Sequence, residues 1–376
     1  MKYAISSHQA TVYSLTCFGY LLLRSGFERL KSRVHLLERI ERQFNSLALQ
    51  LGRSILNAKL VGPRLFDAVE LHLTDPRIFY NPIEWRINER MIRLVTGPIS
   101  SFHAHVETNP FLRKYVFNLS DVSLRTKKAI RSQLEVAYRI VTAHPDLIVT
   151  ENPLFVFHAG IARSVEDRKR ALARTRENIE YIAITNNELH QKYGGSKRII
   201  PTIENSARDE LSLCQTVEDW RRSVEGYEDE VKLTLDYGHI ETVPGQKNEL
   251  LKALKEGRLG DLIFGLHLHY SPLVGNRAEH AHAPLSMIPQ GKLEAVRHDL
   301  RHILDTTGIR RQGCITLEIP SKYPLDYIPS LRHLKKGLSA ASRTLRSIGL
   351  FEWDAFRGGM EDQLASLELA RELVRP

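Results

Sequence analysis

Histidines and carboxylates recur at the ends of apolar runs in this chain, most densely between Val231 and Leu285. The segment reads VKLTLDYGHIETVPG, then a polar helical spacer, then DLIFGLHLHYSPLVGNRAEHAHAPL. The run Val231–Leu235 delivers Asp236 and His239. The run Leu262–Leu266 delivers His267 and His269, with His280 and His282 in the loop beyond. Neutral imidazole and carboxylate are the usual ligands of zinc, manganese and iron. One histidine at a strand end is ordinarily a hydrogen-bonded structural residue. Several of them with an aspartate, all at strand ends, point to a metal site.

The elements that must position these residues follow from the hydrophobic pattern. Short apolar runs closed by turn residues are buried strands of a parallel sheet. The first is MKYAISSH, with Tyr3 and Ile5 alternating. Others are FDAVELHL at 66–73, PISSFHAH at 98–105, PLFVFHAG at 153–160, RIIPTIENS at 198–206, and the runs at 231–236 and 262–269; GCITLEIP at 313–320 is the eighth. Helical periodicity lies between them: around Trp85–Val95, over Ser123–Ala143 behind a Ser120/Asp121 cap signal, and behind Ser164, read as the next cap, as far as Gly194–Gly195. Eight strands alternating with helices predict a single (β/α)8 barrel over residues 1–320. Residues 11–65, with Leu30, Val34, Leu37, Ile40, Phe44 and Leu47 at helical spacing, read as a helical insertion after strand 1. Residues 321–376 read as a helical C-terminal extension packed on the barrel, with helices near 330–347 and 360–374. In such barrels the chemistry belongs at the carboxyl ends of the strands.

The chain has 376 residues, 42% of them hydrophobic and 26% charged, an ordinary globular composition. Cys17, Cys214 and Cys314 are far apart and form no CxxC pair, which argues against a disulfide framework or a thiolate zinc site. A cytoplasmic home is the expectation. The apolar run Thr11–Leu23 is too short to span a membrane, and no membrane partner is expected. The net charge is +9, and nine Lys/Arg face three Glu between Arg24 and Arg64. That excess suits DNA or another phosphate-containing partner, and it suits plain solubility equally well. The oligomeric state is left open.

Taken together, the strand ends resemble the xylose isomerase-like TIM barrel superfamily, and within it the endonuclease IV-like branch that includes AP endonucleases and sugar phosphate isomerases and epimerases. The resemblance covers about residues 66–320. It maps the third-strand histidine onto His103 in FHAH and the fourth-strand histidine onto His158 in HAG, where the family's proline is lost. The Glu-Asn pair falls on Glu204-Asn205, and Asp-x-x-His on Asp236 and His239. His267 in HLHYS keeps the seventh-strand histidine but not the Asn-Asp after it. HAH keeps His282 and puts His280 where the family has aspartate, and Glu318 is the eighth-strand glutamate. The chain also lacks the Ala-Gly-Gln-Gly run of DNA-cleaving relatives, reading SARDE after Glu204-Asn205.

The resemblance implies a metal-dependent enzyme with catalytic Glu204, Asp236 and Glu318. Glu204, Asp236, His267 and Glu318 would hold one divalent ion, as in relatives that interconvert sugars with carboxylates shuttling a proton. His103, His158, His239, His280 and His282 exceed what one ion needs. Bridged by Glu204, they suit up to three zinc ions and a phosphodiester hydrolase, with manganese or iron as alternatives at the carboxylate-rich position. The alternative is an isomerase or epimerase acting on a sugar or sugar phosphate. His269 shares its strand face with His267 and reads as lying just outside the ligands, and Glu70 and His72 read as barrel interior or loop support. Arg163, Arg208 and Arg277, with Glu107, Asp209 and Glu241, sit in or near top-face loops and are undecided between substrate contact and solvated charge.

Overall fold

The computed structural model describes residues 2–6, 67–73, 98–104, 117–195, 197–274, 277–278, 282–318 and 365–374. The expected insertion at 11–65, the helix near Trp85–Val95 and the helix at 330–347 lie outside them. Eight short strands form the sheet: β1 (Lys2–Ser6), β2 (Ala68–His72), β3 (Ile99–His103), β4 (Leu154–His158), β5 (Ile200–Glu204), β6 (Lys232–Asp236), β7 (Ile263–Leu268) and β8 (Cys314–Leu317). Neighbours pair in parallel, and the sheet closes on itself because β1 pairs with β8 on one side and β2 on the other. This is the expected eight-stranded barrel. The strands are shorter than the apolar runs that announced them, because the ladder stops where each chain turns toward the top loops.

Side chains two residues apart on a strand share a face. Phe155 and Phe157 of β4, and Leu233 and Leu235 of β6, join the core between sheet and helices. Their alternates face the barrel interior. Ser101, Val156, Thr234, Gly265 and Thr316 line one interior cavity, and Thr202 joins that layer by a hydroxyl–hydroxyl hydrogen bond to Thr234 at 2.7 Å. Two residues further along each of these strands stand His103, His158, Glu204, Asp236, His267 and Glu318. The pleat alone therefore stacks a ring of ligand-type residues on a layer of mostly small or hydroxyl-bearing ones.

Helices cover the outside: α1 (Leu124–Ala143), α2 (Arg168–Tyr193), α3 (Val217–Ser223), α4 (Tyr237–Thr242), α5 (Gln246–Lys255), α6 (Leu293–Thr306) and α7 (Ile309–Gln312). The cap of α1 is Ser123, whose hydroxyl accepts from the Thr126 amide, while Asp121 accepts from both the Ser123 amide (3.1 Å) and the Thr126 hydroxyl (3.0 Å). Ser164 does not cap α2 but accepts from the Asp167 amide in the turn before it. Helix α2 ends on Gly194 at φ 56°, a left-handed conformation that glycine adopts freely. Between β6 and β7 the polar spacer resolves into two helices separated at Gly245, φ 78°. A hairpin of Leu273–Val274 against Arg277–Ala278 follows β7, too short to leave a periodic trace in the sequence. Residues 365–374 form a helix that buries Leu367, Ala370 and Leu373, with the Ser366 hydroxyl accepting from the Leu285 amide at 3.0 Å. Among the described residues no helix is long and apolar enough to cross a membrane.

Candidate metal centre

The carboxyl ends of β3 to β8 converge on Glu204. Its Oε2 lies 3.4 Å from His103 Nε2 and 3.2 Å from His158 Nε2; its Oε1 lies 3.3 Å from His239 Nδ1 and 3.6 Å from His267 Nδ1. Glu318 reaches in from β8, with Oε1 at 3.5 Å from His267 Nδ1 and Oε2 at 3.5 Å from His282 Nδ1. Asp236 closes the far side. Its Oδ1 is 2.9 Å from His269 Nε2 and accepts the His239 amide at 2.7 Å, so the aspartate caps α4 while facing the histidines.

Asn205 fixes this geometry from outside. Its side chain accepts from the Asp236 amide (2.7 Å) and donates to the Asp236 carbonyl (3.0 Å), clamping the ends of β5 and β6 together. Its own carbonyl accepts from His239 Nδ1 at 2.9 Å. Main-chain carbonyls orient other rings in the same way: His103 donates through Nδ1 to Ala104 (2.8 Å), His269 to Tyr270 (3.3 Å) and His282 to Glu318 (3.2 Å).

Of the residues singled out in the sequence, His103, His158, Glu204, Asp236, His239, His267, His282 and Glu318 are brought together. His280 lies outside the described residues, as do His8, His105 and Glu107. His269, read as lying beyond the ligands, instead stacks on His282 at 4.1 Å between ring centroids and reaches Asp236. The chain leaves the β7 ladder at Leu268, which frees the next ring to swing over the β6 end. Gly238 was the signal in the sequence: a Cβ there would overlap the His269 ring, so only glycine admits it. Glu70 is in the barrel interior, as read. Glu241 instead faces Lys247, at 3.3 Å, in a network with Asp299. Asp209 accepts turn amides of Leu211 and Ser212, and Arg163 and Arg208 are exposed.

The side chains push one another's protonation apart. Burial favours neutral Glu204, but the facing His158 and His267, with hydrogen bonds from His103 and His158, hold its carboxyl well below the usual range. Burial is likewise outweighed at Asp236 by His239 and His269. At Glu318 burial wins, helped by the Glu204 and Asp236 charges, and the carboxyl is pushed up to about 7. His267 is raised well above the ordinary histidine value because Glu70, Glu318 and Glu204 overcome its burial.

This donor set fits divalent cations. Glu204 Oε1, Asp236 Oδ2 and His267 Nδ1 are buried with no hydrogen-bond partner among the described residues. Buried polar atoms are rarely left so, and carboxylates this close favour a cation between them. Four overlapping groups have ligand atoms within 4.8 Å of one another: His103, His158 and Glu204; Glu204, Asp236, His267 and Glu318; Asp236, His239, His269 and His282; and Glu70, His103, His267 and Glu318.

No protein-family model and no curated protein sequence matches the chain. Solved structures do match. A D-tagatose 3-epimerase-like protein aligns at TM-score 0.50 and 17% identity, over 92% of this chain and 100% of its own. Endonuclease IV from Thermus thermophilus aligns at TM-score 0.44 and 18% identity, over 84% and 94%. D-allulose 3-epimerase from a Methylomonas species aligns at TM-score 0.42 and 15% identity, over 73% and 79%. The first of these bears on the fold alone, and it agrees with the closed (β/α)8 barrel described above.

Proposed function

We propose that the chain is a metal-dependent hydrolase of phosphoester bonds with more than one cation in its centre. The observation that carries this reading is the sharing of ligands: Glu204 and Asp236 each belong to two of the four overlapping groups. A mononuclear site has no use for His103 and His158 on one flank and His239, His269 and His282 on the other. Imidazole-rich positions favour zinc, and the carboxylate-rich position accepts zinc, manganese or iron. Bound there, such ions would neutralise a phosphoryl group and make water a better nucleophile at neutral pH.

The chain's own contribution is positional. Asn205 and the β-strand ends hold the carboxylates and rings within ion-pair distance before any substrate arrives. The depth of Glu204 and Asp236, both nearly inaccessible, keeps bulk water from weakening their interactions. The substrate is proposed by chemistry alone as a phosphate ester, DNA with an abasic site being the first to test.

One observation favours a second reading, an isomerase or epimerase of a sugar or sugar phosphate. Glu204 and Glu318 sit in one group with protonation tendencies pushed in opposite directions, the arrangement of a paired base and acid on the two faces of a carbon. Metal-loaded protein should be incubated with an abasic-site duplex and, separately, with a panel of ketoses and aldoses. Duplex cleavage that disappears in Glu204→Gln upholds the hydrolase. Ketose interconversion without cleavage overturns it in favour of the isomerase.

A further inference from the structure

His267 is held differently from four other rings of the centre. His103, His239, His269 and His282 each direct Nδ1 at a main-chain carbonyl. His267 instead places Nε2 at 3.1 Å from Glu70 Oε2, a carboxylate on β2 that is 1% exposed. An ionised carboxylate only accepts hydrogen bonds, so this contact puts the proton on Nε2. In the neutral ring Nδ1 is then the lone-pair nitrogen, buried, at 3.6 Å from Glu204 Oε1 and 3.5 Å from Glu318 Oε1.

Glu70 is itself fixed. Its Oε2 accepts from the Ser101 hydroxyl of β3 at 3.0 Å and faces the Thr316 hydroxyl of β8 at 3.5 Å. It occupies the layer beneath the ring of ligand-type residues, level with Ser101 in the β2–β3 register. From there it holds Nε2, the ring nitrogen other than the one facing Glu204 and Glu318. A carboxylate behind a metal-ligating histidine fixes its tautomer and ring orientation and raises its basicity; losing such a partner commonly weakens metal binding by about 10- to 100-fold.

We infer that Glu70 is a positioning residue that locks His267 in the Nε2–H tautomer, so that Nδ1 is the nitrogen presented to a cation shared with Glu204, Asp236 and Glu318. The inference rests on the proposed cation for its consequence, but the tautomer stands or falls on its own. Glu70 also falls in one of the four groups, and the inference assigns it the hydrogen bond to His267 Nε2 rather than a place on the cation.

The test uses full-length protein labelled with 15N at histidine. In the metal-free protein, at a pH above the raised value of His267 where the ring is neutral, its nitrogens should report a protonated Nε2. In protein loaded with cadmium-113, the metal–nitrogen coupling should run through Nδ1 of His267 and through Nε2 of His103. Glu70→Ala should scramble the His267 tautomer and weaken cadmium and zinc binding about 10- to 100-fold. Glu70→Gln, which keeps an acceptor oxygen and the shape, should restore the tautomer and most of the affinity. Should Glu70→Ala fail to fold, the wild-type coupling decides by itself. Coupling through Nε2 of His267, or an unchanged tautomer in a folded Glu70→Ala protein, overturns the inference. Wild-type protein that binds no cation yet shows the Glu70-dependent tautomer would sink the proposed function and leave the positioning role standing.

Discussion

Gly238 and His269 occupy one another's space: a methyl group at Gly238 would overlap the His269 imidazole. The backbone at Gly238 needs no left-handed angle, so its lack of a side chain is required by the ring alone. Gly238→Ala should therefore move His269 away from Asp236. The overpacking cost is about 1–3 kcal/mol, readable by urea unfolding. Elemental analysis should show less metal per chain, with the loss confined to the histidine-rich group; unchanged stability and metal content would contradict this account.

Glu204→Gln should lower total metal content and abolish activity. The carboxylate faces His103, His158, His239 and His267 at once, so neutralising it touches two groups rather than one. Asp236→Asn should behave similarly, and retention of full metal loading in either variant would refute the shared-ligand reading.

Proton and metal compete for the same nitrogens. Burial alone would make His267 and His269 weaker bases, but Glu70 and Glu318 facing His267, and Asp236 facing His269, raise both above the usual 6.5. Metal uptake must expel those protons, so affinity should fall as pH drops through the raised values and uptake should release protons. The metal-free protein should show the opposite trend for these rings. A group raised by folding contributes stability that is fully present below its unfolded value and lost as pH rises through the folded one. Calorimetry in buffers of differing ionisation enthalpy would count the protons, and the absence of release near neutrality would overturn the prediction.

The entry to α1 provides a test remote from the centre. Ser123→Ala should cost about 0.5–2 kcal/mol through loss of the cap. Burial tends to raise the Asp121 carboxyl, but hydrogen bonds from Ser123 and Thr126 outweigh it and hold it below its ordinary value. Its contribution is thus present above the unfolded carboxylate range and lost as pH falls through the lowered value. Thermal melts of wild type and Asp121→Asn across that interval should converge toward acid pH.

Nucleic-acid binding, if the basic stretch between Arg24 and Arg64 serves it, should weaken steeply with salt as counterions are retained on the free polymer. Titration of duplex at several ionic strengths measures the slope. A flat response would point away from a polyanionic substrate.

The barrel and most of its upper ring were legible because both depend on short-range pattern. Apolar runs gave the strands, and the residue that ended each run was a ligand type, as Glu204, Asp236 and His267 show. What escaped depends on contacts distant in sequence. His269 was placed by counting along its own strand, whereas its position is set by Gly238 in the first turn of α4. Glu70 carries no motif, and its meaning comes from His267, reached only when β2 curves around to face β7 across the interior. The Leu273–Val274 hairpin is too short to show a period, and Ser164 looked like a cap because the turn before α2 uses the same hydrogen bond a cap would.

Strand β1 occupies the seam of the barrel, with β8 on one flank and β2 on the other. Lys2 is paired with Cys314 and Ile5 with Leu317. During synthesis, the first strand made must wait for the last one before the cylinder can shut. Until then β2 or β8 presents an unpaired edge, open to pairing with another chain. Contacts of such long sequence separation form slowly, so the closing of this seam is the step at which nascent chains are most exposed to aggregation. Removing residues 2–6 would make that exposure permanent while leaving every described ligand of the centre in the chain.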